Sequence, residues 1–179
     1  MRRLLCKCTL VVSAFVFVGC LKTMPEWNPV YVPPPPNKVK NTAEIMAPYD
    51  AVWKAVVRVY ADRNISIKTI EKVSGLVASE DMRLPMNEFL EYMNPGKYTV
   101  NEPYHIRPTG QILRTNLFVE KMGSNKTLVR INLKGTVEWE ASVQPYPYYK
   151  KPEFGVTECQ STGKLEADMF KEIQARVAG

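Results

Sequence analysis

Few residues in this 179-residue chain could carry chemistry: four cysteines (Cys6, Cys8, Cys20 and Cys159), one histidine (His105), and the carboxylate pairs Glu80 with Asp81 and Glu138 with Glu140. A thiolate activated by an imidazole is a nucleophile for acyl transfer, so Cys159 with His105 is the combination to weigh. Neither has an activating neighbour in sequence; His105 stands in Tyr104-His105-Ile106-Arg107-Pro108. A zinc site draws on closely spaced His or Cys pairs, and beyond Cys20 the chain has neither. Glu138 and Glu140 alternate with apolar residues and read as the wet face of a strand, while Glu80-Asp81 reads as ordinary charged surface. Gly-rich phosphate loops are absent. The sequence predicts no enzyme, no metal and no cofactor.

The more informative cysteine is Cys20. Met1-Arg2-Arg3 opens the chain with two positive charges, and an apolar run from Leu10 to Val18 leads into Gly19-Cys20. A basic start, a short apolar middle and a small residue at a cut site form a secretory signal. Followed directly by cysteine, Phe17-Val18-Gly19-Cys20 resembles the lipobox of bacterial lipoproteins, with Phe17 standing where leucine is usual. The resemblance implies a diacylglyceryl group on Cys20 and cleavage in front of it, so that residues 1–19 leave and the lipid bilayer becomes the first partner. The alternatives are an ordinary cleaved signal, with Cys20 a free thiol, and a spanning helix. The last needs about 18–20 apolar residues, and Lys7 interrupts any such run. Two or three acyl chains hold firmly where one is marginal. Leu21, in place of Asp, implies by the same resemblance the periplasmic face of the outer membrane.

Cleavage removes Arg2, Arg3 and Lys7, which lowers the formal charge from +6 to +3. That is too mild to argue for nucleic acid. It also removes Cys6 and Cys8; with Cys20 lipidated, Cys159 has no partner for an internal disulfide, and it reads as a small buried hydrophobe or, less simply, a reactive thiol. With 45% hydrophobic residues, the remaining chain can build one core of its own. Residues 20–41 form a tether. Pro25, Pro29 and Pro33 to Pro36 exclude helix and central strand, and polyproline II, at about 3.1 Å per residue, would let it reach about 60 Å. It reads as a spacer, or, because Trp27, Val30, Tyr31 and Val32 are apolar, as a strip that docks on its own domain or on a partner.

Residues 42–179 read as a single α+β domain. Thr42 to Met46 is a first strand. Tyr49, Val52, Trp53, Val56, Val57 and Tyr60 fall on one helical face, with Pro48 in the first turn and Arg63-Asn64 at the end. Ile65 to Glu80 reads as a hairpin turning at Ser74-Gly75. Leu113, Leu117 and Val119 lead through Gly123-Ser124-Asn125 into a long strand, whose dry parity runs Val129, Ile131, Leu133, Gly135, Val137 and Trp139. Gly135, on that dry face, leaves room for a neighbour or a bend. Ser161 or Thr162 can cap a last helix that runs to about Val177 and buries Leu165, Met169, Phe170, Ile173 and Val177. The expected order is β-α-β-β-loop-β-β-α, an antiparallel sheet with two helices packed on one face.

Three segments, Ala47-Pro48-Tyr49-Asp50-Ala51-Val52-Trp53-Lys54-Ala55-Val56, Val73-Ser74-Gly75-Leu76-Val77-Ala78-Ser79-Glu80 and Cys159-Gln160-Ser161-Thr162-Gly163-Lys164-Leu165-Glu166, stand in this order behind the lipobox. Together they resemble small bacterial lipoproteins whose soluble part is similar to the helix-grip domains of BamC, of the outer-membrane β-barrel assembly machinery. The resemblance covers about Thr42 to Val177. It implies a helix-grip-like fold and an envelope setting, and it transfers no catalytic residue. The chain has room for only one such domain.

The insertion 83–111 is the first functional suspect. Met86, Phe89, Leu90 and Met93 have helical spacing between Pro85 and Pro95. They predict a short amphipathic helix that is either a lid on the sheet or a patch for a protein partner, with a membrane contact as a third reading. The second suspect is Pro145-Tyr146-Pro147-Tyr148-Tyr149-Lys150-Lys151-Pro152, where aromatic rings beside lysines suit a headgroup zone, a glycan or an acidic protein. The expectation is a non-enzymatic, membrane-anchored periplasmic lipoprotein that meets envelope proteins as an accessory or scaffold. The alternative is a carrier that holds a lipid or other apolar molecule between helix and sheet.

Overall fold

The computed structural model describes residues 28–101, 104–143 and 153–179. Cys20, Tyr146, Tyr148 and Tyr149 lie outside the described residues. No described helix is long and apolar enough to cross a membrane.

The alternation after Leu113 produces a long hairpin. Its strands β7 (Tyr104–Lys121) and β8 (Thr127–Val143) pair from Tyr104 opposite Val143 to Lys121 opposite Thr127. The turn closes with the Met122 amide donating to the Lys126 carbonyl at 3.0 Å. A smaller hairpin, β3 (Ile67–Glu71) and β4 (Leu76–Ser79), turns at Gly75 (φ 71°) and lays β4 beside β7. On its other side β8 serves two strands in turn: β2 (Thr42–Ile45) along residues 127–130 and β9 (Glu153–Ser161) along 135–141.

The protein is α+β, with a mostly antiparallel sheet and, among the described residues, three helices, α1 (Tyr49–Asp62), α2 (Met86–Tyr92) and α3 (Lys164–Ala178). Two features correct the expected order. Strand β9 was not expected, and the insertion 83–111 is no loop. It holds α2, a two-residue strand β5 (Met93–Asn94) on the end of β9, strand β6 (Lys97–Thr99) and the start of β7. Pro108 is accommodated inside β7 because a register shift between Pro108 and Gly110 falls beside it, and an irregularity is where a ladder tolerates a missing N–H.

All three helices contribute to one apolar cluster with the dry parity of the sheet. Val52, Val56 and Tyr60 of α1, Met169 and Ile173 of α3, and Leu117, Val129 and Ile131 of the hairpin are buried together. Most of the polar groups inside are paired, Glu166 Oε2 being the exception among the described residues. The Tyr60 hydroxyl lies 2.7 Å from Thr115 Oγ1, and the Thr115 amide donates to Ser79 Oγ at 2.9 Å. Arg63 on Glu172 (2.6 Å) and Arg176 on Asp62 fasten α1 to α3.

Gly135 is where the insertion meets this core. A Cβ there would stand 2.6 Å from Met93 Cε, 2.9 Å from Met93 Cγ and 3.2 Å from Phe89 Cζ. Both side chains are fully buried. The missing side chain predicted to leave room therefore does so, and α2 and β5 fill the space. Thr162 adds two bonds from the start of α3: its amide donates to the Tyr92 carbonyl (2.9 Å) and its hydroxyl to the Glu91 carbonyl (2.7 Å).

Helix α3 is capped one or two residues later than expected, by Gly163 in the left-handed region (φ 88°), where glycine carries no steric cost. Thr162 Oγ1 accepts from the Lys164 amide at 3.4 Å. In this first turn Glu166 is 2% exposed, and its Oε2 has no hydrogen-bond partner. Burial raises its pKa, offset in part by a hydrogen bond from Ser161.

Two predictions follow from this packing. Gly135→Ala should destabilise by about 1–3 kcal/mol through overpacking, because Met93 Cγ is too near the backbone to swing aside. In a Met93→Ala background most of that cost should vanish, as urea melts of the four chains would show. A carboxyl whose folded pKa lies above its unfolded value binds more protons folded than unfolded, so stability falls as pH rises through that window. Glu166→Gln should flatten the decline of the melting midpoint on the alkaline side of the ordinary carboxylate range, and an unchanged pH profile would contradict it.

Candidate functional site: a docked strap and a groove at the far end

The predicted contact patch on α2 is corrected at two of its four positions. Phe89 and Met93 are core side chains against Gly135, with no surface to offer a partner. Met86 is half-buried against the same core, and Leu90 alone is largely exposed, at 47%. The short helix is there as the spacing predicts, and its apolar stripe faces inward as a lid would. Tyr146, Tyr148 and Tyr149, the other candidates, fall outside the described residues.

The catalytic combinations do not assemble. Cys159 pairs with Gly135 and His105 with Ser142, seven residues further along β8. At about 3.3 Å per residue they are roughly 23 Å apart along the strand. Burial also pushes the Cys159 thiol up to about 12, which keeps it protonated at neutral pH. Asp81 is held by Arg114, which lowers its pKa, and Glu140 by Arg107 at 2.7 Å. No group of three potential ligands capable of holding a metal occurs among the described residues.

The Pro-rich segment is the larger surprise. Strand β1 (Val30–Val32) pairs with β6 in a two-stranded ribbon, Tyr31 opposite Tyr98. The Tyr31 hydroxyl donates to the Pro95 carbonyl at 2.9 Å, and its ring packs on Tyr98 at 5.1 Å. Tyr98 in turn meets Trp139 edge-on at 5.3 Å, and Trp139 Nε1 donates to Thr157 Oγ1 at 2.7 Å. Further on, Asn37 donates to the carbonyls of Ser161 and Thr162 (3.3 and 3.4 Å), and Val39 lies against Gly163. Asn41 donates to Asn132 Oδ1 at 3.0 Å, just before Thr42 pairs with Arg130.

Residues 31–42 thus run along the flank of the sheet from Trp139 back to Arg130, antiparallel to β8. Of the two readings of the tether, the strip docked on its own domain is the one observed. Residues 21–29 are left between Cys20 and the ribbon, which starts at Val30. Fully extended at about 3.3–3.6 Å each, nine residues cover at most about 32 Å. The expected reach of about 60 Å is halved.

At the opposite end, where both hairpins turn, the wet face holds a groove of about 440 Å³. Phe118 and Leu128 line it, with Tyr49 on one side. Phe118 stands directly between Leu76 and Arg130 across the strands, and Leu128 lies between Glu120 and Glu44. Tyr49 is fixed by stacking on Trp53 and by its hydroxyl donating to the Lys72 carbonyl. The signal for this groove was present in the sequence as apolar residues on the wet parity, Phe118 among Asn116 and Glu120, which the reading of a clean wet face passed over.

No protein-family model and no curated protein matches the chain.

The Cys159 thiol lies near enough to the Tyr31 phenol to help raise its pKa, after burial, which is the larger cause. It therefore reports on the strap. Tyr31→Ala should speed maleimide labelling of Cys159 at least ten-fold, followed at pH 8 on the Cys159 peptide by mass spectrometry. Equal rates in the two chains would mean that β1 does not cover this site.

Proposed function

We propose that this chain is a lipid-anchored lipoprotein of the bacterial envelope, held through Cys20 at the periplasmic face of the outer membrane and working without catalysis. On this reading it is an accessory or scaffold of envelope assembly that acts by protein contacts. The observation that carries the reading is the strap. It spends the tether on the flank of the domain, so an anchored body stays within about 32 Å of the bilayer. The groove lies at the other end of the hairpin, about 30–40 Å from Trp139 by the rise of nine to twelve residues.

The packed centre of the helix–sheet layer supports contact over carriage, and the concavity of about 300 Å³ at its edge is lined by Arg63, Glu80, Asp81, Arg83 and Glu88 and does not suit an apolar cargo. A carrier needs an apolar cavity of about 300 Å³ or more. The described helix–sheet layer is occupied by Tyr60, Phe89, Met93, Leu117, Ile131 and Met169, each fully buried. The separation of Cys159 from His105 supports a non-enzymatic role. The likeness of the three quoted segments to helix-grip lipoproteins of the BamC type supports the envelope setting, and a helix-grip relationship is part of the proposal.

Expressed in a two-membrane bacterium, the chain should sediment with outer membranes at a mass that includes acyl chains and excludes residues 1–19. Cys20→Ser should abolish the acyl mass and release the protein from that fraction. A Cys20→Ser product that still sediments at the processed mass would overturn the anchor.

A further inference from the structure

The two hairpin turns and the end of β2 bring three apolar side chains to one edge of the molecule, each beside or near a lysine. Val73 of the β3–β4 turn is 99% exposed and follows Lys72; Met122 of the β7–β8 turn is 51% exposed and follows Lys121. Met46, just past β2, is 72% exposed, and β2 pairs with the strand that starts at Thr127, next to Lys126. Turn positions favour Gly, Asn, Asp, Pro and Ser, so turn chemistry does not account for Val73 and Met122. Exposed apolar clusters with a polar rim mark contact surfaces.

The groove between these tips has a definite charge. Its lining carries Lys72, Lys121 and Arg130 against a single carboxylate, Glu120. Lys72 is already engaged, its Nζ 2.6 Å from Asp50 Oδ1. Lys121 and Arg130 form no salt bridge among the described residues. Arg130 stands across from Phe118 and Thr42, neither of which can neutralise it. A guanidinium beside an aromatic ring on an open sheet face presents a fork for a carboxylate and an apolar surface for the carbons next to it.

We infer that this groove binds an acidic segment of a partner protein, an apolar or aromatic side chain resting on Phe118 and Leu128 with a flanking carboxylate on Arg130 and Lys121. The inference rests on the protein-contact reading and names the partner's chemistry at one surface. A concavity of about 440 Å³ is the size of a few side chains, within the range that takes small ligands or peptide anchors. A flat bilayer surface would touch the tips and leave the groove empty, so the concavity, with two cations that form no salt bridge among the described residues, favours a peptide chain over lipid.

Photo-crosslinking in intact cells tests it, with benzoylphenylalanine in place of Phe118 in the full chain, and with the same group at Leu90 and Val156 as comparison positions. The expected result at position 118 is a protein adduct whose crosslinked segment has Asp, Glu or a chain carboxylate within about three residues of an apolar one. Lys121→Glu with Arg130→Glu should cut that adduct at least ten-fold, and Lys121→Arg with Arg130→Lys should keep it. Both pairs are surface changes, and unchanged processing, sedimentation and melting midpoint verify the fold. No adduct at 118, a lipid adduct, an adduct without a nearby carboxylate, or one indifferent to charge reversal each overturns the inference. If 118 is silent while Leu90 or Val156 yields protein adducts, the protein-contact reading stands and only this surface falls. Silence at all three positions counts against both.

Discussion

The structure depends on one missing side chain. Gly135 sits mid-strand in β8, on the buried face of the sheet, and its vacancy is where α2 and β5 sink Phe89 and Met93 into the layer. Without that space an insertion between β4 and β7 would have no hold on the domain beyond edge contacts. With it, Met93 begins β5 on the end of β9, Pro95 presents its carbonyl to Tyr31, and β6 is set where β1 can pair with it. Each step uses the one before. The strap is the last link, and the burial of two large side chains at Gly135, with a transfer term of about 1.5–3 kcal/mol each, is the first.

Under the proposed anchoring at Cys20, the consequence would be a body on a short lead. A free proline-rich spacer would let such a domain roam through a wide shell above a membrane, and docking the same residues along β8 removes that freedom. The docked segment also lies over Cys159, close enough for the thiol to act on the Tyr31 phenol. The ends of the molecule differ in kind. One carries the ribbon and the Tyr31–Tyr98–Trp139 stack, and the other carries apolar tips over a basic groove.

Much of this was legible from residue spacing, and the misses have physical causes. Helix α1 was plain because six apolar residues share one face, and Asn64 marks its stop by adopting positive φ (52°), which asparagine tolerates better than most residues. The dry parity of β8 and the role of Gly135 followed from strict alternation. Strand β9 was missed because its inward residues, Gly155, Thr157 and Cys159, are small or polar and give no hydrophobic period. The first part of β7 was hidden by Pro108 and Gly110, which usually argue against a strand interior; the register shift that admits them is a tertiary feature. For α2 the helix was readable and its direction was not, since an amphipathic stripe looks the same whether it faces a core or a partner. The groove escaped for the opposite reason. Its apolar members come from two strands, a turn and the start of α1, and no linear window contains them all.

Amide hydrogen exchange of the full chain tests the coupling of Gly135 to the strap most directly. Peptides covering residues 30–42 should exchange far more slowly than an unstructured proline-rich tail. Enlarging Gly135 to Leu should release residues 30–42 and 97–99 together while β7 and β8 near Leu117 and Ile131 stay protected. Random-coil exchange of residues 30–42 in the unaltered chain, or a strap that stays protected when Gly135 is enlarged, would contradict the account.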